Sequence, residues 1–357
     1  MKANGYADST SLHAVTGDVN GHHAPPFGVL SMSDVLTYQR VLAASERLAP
    51  FLVPTPLRNY PALDRVVGCR VLLKHENHQP TNAFKVRNGL SALTALGDDE
   101  RSRGVIAPTR GNHGQGVAWA ARELGISATI CVPLGNNPDK NQAIRDLGAT
   151  LVEHGRDFDE AAGHAQDLIR ERGLTPIHGI NNVDVLAGAG TIALEAIEQA
   201  AGMGESIDAM VFAVGGGSQA VGAVTVVRDQ TPGIPVHAVQ AEAASAIHDS
   251  IHAGKRLETA SADTIADGVA TRMTYDGTWE MLRTGLAGIN LVSEAEIAEM
   301  VRVVLATTHN LVEPAGVVGL AGLRKMGEQV EGKTVLAVLS GANIDNATLC
   351  RIMNREI

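Results

Sequence analysis

The sequence lacks long apolar segments and clusters of basic residues, and each absence excludes a class of protein. No window approaches the ~18 consecutive apolar residues that a membrane-spanning helix needs. Residues 1–28 are rich in Gly, Ser, Asp, His and Pro and do not have the apolar centre of a signal peptide. The 29 Lys and Arg residues are outnumbered by 39 Asp and Glu residues, a formal net charge of −10, so binding through neutralisation of nucleic-acid phosphates is not expected. We therefore expect neither a membrane nor a nucleic acid as a partner.

Cysteine is also scarce. The three cysteines, Cys69, Cys131 and Cys350, are odd in number and widely spaced, which argues against a disulfide framework and predicts a cytoplasmic protein. Hydrophobic residues make up 45% of the 357 residues and charged residues 19%, so the chain can bury a large core and is long enough for two domains. Residues 1–28 are predicted to form a flexible N-terminal tail.

Short apolar runs alternate along the chain with longer segments of helical periodicity. The runs do not alternate with polar residues, which is typical of strands buried on both faces of a parallel sheet. Strands are predicted at 71–74, 104–107, 128–132, 150–153, 209–214, 236–240 and 334–339, and helices at 85–96, 114–124, 157–170, 187–201, 294–309 and 315–325. This order predicts an α/β fold with layered sheets. No linker sequence separates two halves, so one domain can be an insertion in the other.

Lysine is rare, with seven in the chain, and Lys85 has the most informative position. It follows a predicted strand and begins a predicted helix inside an α/β core. Burial and the positive end of a helix both disfavour the ammonium form, which makes the neutral amine a better nucleophile. The alternative is a lysine whose ammonium group extends into solvent.

Three consecutive glycines follow a predicted strand in the segment Val214-Gly215-Gly216-Gly217-Ser218-Gln219. Backbone N–H groups in such a loop can surround an anion, and the N-terminus of the next helix adds a favourable dipole. We interpret the segment as a phosphate site, with a tight strand-to-helix turn as the alternative. The same segment also fits the G-x-G-x-x-A pattern of nicotinamide-dependent oxidoreductases, which is a weak signal alone.

Two further loops offer groups that can bind a ligand. Thr109-Arg110-Gly111-Asn112-His113 combines side-chain donors with a glycine and a helix N-terminus, which suits a carboxylate. An ordinary capped loop is the alternative there. Ser340, in Leu339-Ser340-Gly341-Ala342-Asn343, lies at the carboxyl edge of the predicted sheet, where open α/β sheets bind ligands.

Taken in order, these four segments resemble the fold-type II pyridoxal-phosphate (PLP) enzymes, and within them the branch of threonine/serine dehydratases and serine racemases. The similarity covers about residues 51–344 and includes segments 187–195, 265–269 and 313–316. It implies a two-domain fold like that of the tryptophan synthase β chain, with three-layer αβα domains and mostly parallel sheets. The large PLP-binding domain would comprise 29–102 and 183–357, and the small substrate-side domain 103–182.

The resemblance implies a role for each matching residue. Lys85 would hold the cofactor as a Schiff base and later remove the substrate's α-proton, Asn112 would hydrogen-bond the cofactor's 3′-oxygen, and Ser340 would contact the ring nitrogen. A neutral serine leaves that ring unprotonated, which favours elimination of a β-substituent. The residues expected to bind the cofactor are Phe84, Lys85, Asn112, Gly215, Gly216, Gly217, Ser218, Gln219, Glu313 and Ser340. Those expected to bind the substrate are Thr81, Thr109, Arg110, Gly111, Asn112 and His113.

The activity implied is that of a PLP-dependent ammonia-lyase. Threonine, serine or a 3-substituted serine would lose its β-hydroxyl and amino groups, giving a 2-keto acid and ammonia. The implied partners are this amino-acid substrate and further copies of the chain, as a homodimer or a higher homo-oligomer. An amino-acid racemase or a β-replacement enzyme of the same fold, and an NAD-dependent oxidoreductase, are the alternatives. The sequence ends after the catalytic unit, so feedback control through the C-terminal regulatory domain of biosynthetic threonine dehydratases is not expected.

The sequence departs from the family pattern at several positions. Asn82-Ala83 replaces the usual Gly-Ser before Phe-Lys, Asn88 replaces a glycine, and Ser218 replaces the fourth glycine of the phosphate loop. Arg110 stands where racemases carry a serine base, and because a guanidinium stays protonated, racemisation is disfavoured. Arg110 could instead pair with the side-chain carboxylate of a substrate such as 3-hydroxyaspartate, with the α-carboxylate, or with a structural partner.

A divalent-cation site occurs in some relatives. Glu242 and the carbonyl group of Ala246 match it, but His248 replaces a carboxylate, and hard cations prefer oxygen ligands. His248 and His252 are four residues apart, as zinc ligands on a helix can be, but we interpret them as solvated histidines. No metal ligand is therefore assigned.

Overall fold

The computed structural model describes residues 13–14 and 35–357. The tail predicted over residues 1–28 therefore lies outside the described residues, apart from the two residues of the first strand. In chain order the strands are β1 (His13–Ala14), β2 (Leu57–Arg58), β3 (Arg70–His75), β4 (Val105–Pro108), β5 (Ala128–Val132), β6 (Thr150–Glu153), β7 (Thr175–Pro176), β8 (Ala209–Ala213), β9 (Val236–Ala241), β10 (Leu257–Glu258), β11 (Gly288–Val292) and β12 (Thr334–Leu339).

Two main sheets organise these strands. The large sheet has the order β11-β9-β8-β12-β3-β2, in which only the β2–β3 pair is antiparallel. The small sheet has the order β6-β5-β4-β7 and is parallel throughout. All four of its strands lie between β3 and β8 in the sequence, so the small sheet is inserted between two strands of the large one. β1 and β10 form a separate antiparallel pair.

The helices connect the strands and cover the sheets. They are α1 (Tyr38–Leu48), α2 (Pro61–Val67), α3 (Lys85–Ala95), α4 (Asp98–Arg103), α5 (Asn112–Leu124), α6 (Pro138–Asp146), α7 (Phe158–Arg172), α8 (Val183–Gly202), α9 (Ser218–Gln230), α10 (Ala246–Ala253), α11 (Asp276–Gly285), α12 (Glu294–Thr308), α13 (Pro314–Met326) and α14 (Asn346–Met353). Ser293 caps α12 and accepts a hydrogen bond from the Glu296 amide, as its sequence predicts. From residue 35 onward, no helix is both long and apolar enough to cross a membrane.

Burial on both faces explains why the strands of the large sheet are apolar without alternation. In β8, Met210 and Phe212 belong to one hydrophobic cluster, whereas Ala209 and Val211 belong to the cluster on the opposite face. The same two-sided burial applies to β12, whose last five residues are all buried. The predicted α/β fold with mostly parallel sheets is confirmed, and the predicted strands correspond to β3, β4, β5, β6, β8, β9 and β12.

The prediction missed elements whose sequence is short or polar. β11 contains Gly288 and Asn290, and four of its five residues are only half-buried, so it does not have the apolar character of the inner strands. α6 contains mostly polar residues, yet it buries Lys140 and Asn141. Ile144 is its one residue in a hydrophobic cluster, so the helix has too few apolar positions for hydrophobic periodicity to detect it.

Candidate active site

The carboxyl ends of three neighbouring parallel strands bring the predicted site residues together. β3 leads to Lys85, β8 leads to the glycine loop 215–217, and β12 leads to Ser340. The Phe84 amide donates a hydrogen bond to the Ser340 carbonyl oxygen, with 3.0 Å between N and O. Open parallel sheets bind ligands at this edge, so the sequence-based grouping of these loops agrees with their positions in the fold.

Lys85 differs from the other lysines of the interior. Three lysines in the described part of the chain are not exposed: Lys74, Lys85 and Lys140. Lys74 contacts Glu195 and Lys140 contacts Asp267, each at 2.5 Å, whereas Lys85 has no hydrogen bond or ion pair with any residue from 35 to 357. Its Nζ lies 4.9 Å from the centroid of the Phe84 ring. Burial without a counter-ion lowers the pKa of Lys85 to about 8.

A buried ionic network fixes the first turn of α3. Arg87 donates from Nε and Nη2 to the two carboxylate oxygens of Glu76, at 2.8 and 2.9 Å, and from Nη1 and Nη2 to Glu195, at 3.0 Å each. Lys74 also contacts Glu195. Two cations thus balance two carboxylates, which holds the helix that carries Lys85 against β3 and α8. No pattern in the sequence indicated this network.

Helices α3 and α5 cross closely, which places the loop of residues 109–113 beside Lys85. A Cβ on Gly116 of α5 would overlap the Lys85 carbonyl group, and a Cβ on Gly89 of α3 would lie 2.6 Å from the Gly116 carbonyl carbon. Because both positions are glycine, the two backbones touch, and the N-terminus of α5, with Asn112 and His113, lies next to the start of α3.

Asn112 is held by hydrogen bonds on both atoms of its amide. Its Nδ2 donates to Glu313 Oε1 at 2.6 Å, and its Oδ1 accepts from Asn343 Nδ2 at 2.7 Å. Asn343 also donates to the Thr81 carbonyl oxygen at 2.9 Å. Burial raises the pKa of Glu313 to about 7, although Lys140 opposes this shift. The second N–H of Asn112 remains free to donate to a ligand.

His113 has a more restricted chemistry than its sequence position suggests. Its Nε2 lies 3.0 Å from the Ile177 carbonyl oxygen, which can only accept, so Nε2 carries the proton and Nδ1 is an acceptor. Burial and the nearby Lys85 lower the pKa of His113 to about 3. The neutral ring therefore cannot donate from Nδ1 to a carboxylate, and the backbone N–H groups of the loop are better placed for that contact.

Residues 109–113, which the sequence predicts to bind the substrate, are called the substrate loop. The loop begins with one buried and one exposed residue. Thr109 Oγ1 accepts from the Gly111 and Gly114 amides at 3.0 and 3.4 Å, which shapes the turn into α5. Arg110 is exposed and has no ion pair or hydrogen bond within residues 35–357. It is therefore free to contact a ligand, and no structural partner accounts for it in the described part of the chain.

The glycine loop packs against a segment that the sequence did not identify. Ile180 Cδ1 lies where a Cβ on Gly216 would stand, and Gly217 has a left-handed φ of 94°. His178 Nδ1 accepts from the Ile180 and Asn181 amides, at 2.9 and 2.8 Å, which fixes this segment. A Cβ on Gly215 or Gly217 would likewise meet Val269 or Leu282, so the glycines allow the loop to pack closely against its neighbours at the N-terminus of α9.

The residues considered for a cation have other partners. Glu242 is 3.9 Å from Lys325, and His248 Nδ1 is 2.9 Å from Asp249. The His248 and His252 rings are 4.2 Å apart. In the described residues there is no group of three or more His, Cys, Asp or Glu side chains arranged to hold a metal ion.

Comparisons with known proteins identify the family. Residues 48–341 match the family described as pyridoxal-phosphate dependent enzyme. The L-threo-3-hydroxyaspartate ammonia-lyase of Pseudomonas sp is 34% identical over 309 residues, which cover 87% of this chain and 96% of that protein. The biosynthetic L-threonine dehydratase of Pasteurella multocida is 32% identical over 338 residues, or 94% of this chain, but this span is only 64% of that protein.

Solved structures agree with this match. The crystal structure of a threonine deaminase from T.th. has a TM-score of 0.82 and 36% identity, covering 87% of this chain and 99% of that chain. Maize serine racemase has a TM-score of 0.84 and 28% identity, covering 90% and 98%. The chain spans about three-fifths of the length of the first two biosynthetic dehydratases that it matches, 64% and 58%.

The residues at the sheet edge fit the cofactor of this family. Lys85 supplies an amine that has no counter-ion in the described part of the chain, and the glycine loop supplies backbone N–H groups for a phosphate. Gln219 Oε1, at the start of α9, is buried without a partner among the described residues. Ser340 is 7% exposed, and its Oγ has only a long 3.5 Å contact to the Ala315 carbonyl oxygen, so it remains available to a ring nitrogen. The chain belongs to the pyridoxal-phosphate dependent enzymes, and PLP is its cofactor.

Proposed function

We propose that the chain is an ammonia-lyase that converts a β-hydroxy amino acid into a 2-keto acid and ammonia. The observation that carries this proposal is the Lys85 amine, which has no partner among residues 35–357 and lies beside the N-terminus of α5, within the edge that holds the glycine loop. The named activities of relatives, L-threonine ammonia-lyase in Geobacter sulfurreducens and L-threo-3-hydroxyaspartate ammonia-lyase in Pseudomonas sp, support it.

Each step of this reaction would depend on particular residues of the chain. When bound, the cofactor supplies a conjugated system that delocalises the electron pair left at the substrate's α-carbon. Lys85 Nζ accepts the α-proton in its neutral form, which its lowered pKa favours near neutral pH. The Gly111 and Asn112 amides at the start of α5 bind the α-carboxylate. Ser340, a neutral hydroxyl, leaves the ring nitrogen uncharged.

Arg110 argues for elimination rather than racemisation. A racemase needs a second base on the opposite side of the α-carbon, and the resemblance places Arg110 at that position. A guanidinium does not lose its proton near neutral pH and cannot serve as that base. Loss of the β-hydroxyl needs only one base at the α-carbon, which Lys85 provides.

A keto-acid assay across several substrates tests the proposal. Purified protein with PLP is incubated with L-serine, L-threonine, L-threo-3-hydroxyaspartate or phenylserine, and the keto acid and ammonia are measured together. We expect equimolar keto acid and ammonia from at least one substrate and none with Lys85→Ala. Loss of optical rotation without keto acid would instead identify a racemase, and incorporation of an added thiol would identify a β-replacement enzyme.

The quaternary structure, the domain boundaries and the location belong to the same proposal. We infer a homodimer or a higher homo-oligomer because large apolar side chains are exposed along one shallow groove, including Val53 at 82% and Phe51 at 37%. Light scattering of the purified protein tests this directly. We also propose the 29–102 plus 183–357 and 103–182 domains, and a cytoplasmic location that fits the free cysteines.

A further inference from the structure

An ion cluster with a buried lysine, a buried glutamate and an exposed aspartate joins the small sheet to the cofactor site, and the proposed function does not use it. Lys140 belongs to α6, beside the small sheet, and is only 7% exposed. Its Nζ lies 2.5 Å from Asp267 Oδ2 and 3.9 Å from Glu313 Oε2. Asp267 lies between β10 and α11, and Glu313 precedes α13, which packs on the large sheet. The lysine therefore connects α6 to a helix of the large sheet.

The same lysine supports the substrate loop. A Cβ on Gly111 would lie 2.9 Å from Lys140 Cδ and 3.5 Å from its Nζ. The alkyl chain of Lys140 therefore packs directly against the backbone of Gly111, the residue before Asn112. Movement of Lys140 would change both the support of this loop and the charge next to Glu313.

Glu313 connects Lys140 to Asn112, because it accepts a hydrogen bond from the Asn112 amide. As a carboxylate it can only accept, so it fixes Asn112 Nδ2 toward itself, while Asn343 occupies Oδ1. One N–H of Asn112 is then left for the cofactor's 3′-oxygen. A protonated Glu313 is itself a donor and no longer requires this orientation of the amide.

We propose that Lys140 and Asp267 are positioning residues for the cofactor site. Their ion pair sets the charge of Glu313, and through it the orientation of the Asn112 amide, while the stem of Lys140 supports Gly111. This inference rests on the proposed placement of the cofactor ring beside Asn112. It does not depend on which reaction the enzyme catalyses.

Two charges act on Glu313 in opposite directions. The Lys140 ammonium lowers the pKa of Glu313, the Asp267 carboxylate raises it, and the hydrogen bond from Asn112 lowers it. Asp345 faces the cluster as well and raises the pKa of Lys140. Removing Lys140 should therefore move the titration of Glu313 to higher pH, and removing the charge of Asp267 should move it to lower pH.

The test is a pH titration of the visible absorption and fluorescence of the bound cofactor. It compares the unaltered holoenzyme with Lys140→Met, Asp267→Asn and Lys140→Arg, and uses Glu313→Gln to assign the transition. Methionine keeps most of the packing against Gly111 and removes only the charge. We expect a transition near pH 7 that moves up by about one to three units in Lys140→Met, moves down in Asp267→Asn, stays near its original place in Lys140→Arg, and is absent in Glu313→Gln.

A purely structural role would give a different pattern. Shifts of the same sign in Lys140→Met and Asp267→Asn, or no shift in either, would overturn the inference. If a variant binds the cofactor too weakly to titrate, its unfolding free energy against pH gives the same comparison. The raised pKa of Glu313 makes stability fall as the pH rises toward that pKa, and Lys140→Met should extend this fall to higher pH, which adds ~1.4 kcal/mol of total loss for each unit of pKa shift. Neither readout requires turnover, so a protein without lyase activity can still pass this test, and an active lyase can still fail it.

Discussion

The Phe84 amide donates to the carbonyl oxygen of Ser340, which links the start of α3 to the end of β12. Ala83 and Gly341 form an isolated antiparallel bridge next to this bond. Lys85 directly follows the residue that bonds to Ser340. It therefore lies at the carboxyl end of β12, where the Ser340 hydroxyl can reach a ring nitrogen. The backbone, rather than the side chains alone, determines the spacing of these two functional residues.

The lowered pKa of Lys85 predicts how cofactor loading depends on pH. Only the neutral amine attacks the cofactor's aldehyde carbon, so the loading rate should rise about tenfold per pH unit below the pKa and level off above it. With the pKa lowered to about 8, the plateau should begin near pH 8, rather than near the ~10.4 of an ordinary lysine. Stopped-flow absorbance after mixing the cofactor-free protein with PLP measures this.

Two variants provide the controls for this experiment. Lys85→Ala should lose the visible band of the lysine-bound cofactor and all turnover. Lys255→Ala, which changes an exposed lysine, should leave both unchanged. A loading rate that still rises steeply above pH 9 would contradict the lowered pKa, whereas a visible band that persists in Lys85→Ala would contradict the assignment of the lysine.

The sequence predicted which strands end at the site, but it did not predict the ionic contacts that hold the neighbouring helices in place. The runs that became β3, β8 and β12 are buried on both faces, so they were recognisable, and parallel strands necessarily bring their following loops to one edge. The contact of Lys140 with Asp267 was not predictable, because it depends on how α6 packs across the molecule. Arg87 was missed for a similar reason: its partners Glu76 and Glu195 are brought to it only when α3, β3 and α8 assemble.

Gly216 is expected to be essential for cofactor retention. A Cβ there would overlap Ile180 Cδ1, so an added methyl group would displace Ile180 or the loop backbone whose N–H groups are expected to bind the phosphate. Gly216→Ala should therefore weaken PLP binding by roughly tenfold or more, about 1.4 kcal/mol, while the chain remains folded. Equilibrium dialysis of the cofactor, with circular dichroism for the fold, measures both properties.

A second substitution separates the two causes of this loss. If the new methyl group acts by displacing Ile180, then Gly216→Ala combined with Ile180→Ala should restore affinity. If it acts by blocking the phosphate, affinity should stay low. We expect restored affinity, because the Cβ position of Gly216 points at the Ile180 side chain. Gly163→Ala, at a helical glycine with nothing within 4 Å of its Cβ position, is the matched control. Unchanged affinity in Gly216→Ala would argue against a phosphate at this loop.

The ionic network around Arg87 predicts a large loss of stability when one of its carboxylates is replaced by an uncharged amide. Glu76 is fully buried and accepts two hydrogen bonds from Arg87. Glu76→Gln would leave a buried guanidinium with reduced compensation, which typically costs about 3–5 kcal/mol. Urea unfolding of the cofactor-free protein measures it. Asp167→Asn, which removes an exposed partner of Arg170, should change stability little, and equal effects of the two substitutions would contradict a buried ionic network.

Arg110 provides the test of substrate class. It is exposed, and no residue from 35 to 357 pairs with it, so its charge is available to a substrate carboxylate. A charge-assisted contact of this kind contributes ~1.5–3 kcal/mol, a roughly ten- to hundredfold effect. If the guanidinium binds the side-chain carboxylate of the substrate, Arg110→Gln should reduce kcat/KM for 3-hydroxyaspartate by that factor. The value of kcat/KM for threonine should then stay nearly unchanged.

The ratio of the two losses decides between the roles of Arg110, because it isolates differential binding in the transition state. Equal losses for 3-hydroxyaspartate and threonine would assign the arginine to the α-carboxylate that both substrates share. A fall in stability without a change in the ratio would assign it a structural role, which its exposure argues against. Arg122→Gln changes an arginine near the opposite end of α5, where the side chain pairs with Glu123, and should alter neither substrate. We expect the unequal result, since a residue that cannot be a base and has no partner in the described chain retains only its charge as a reason to lie beside the substrate loop.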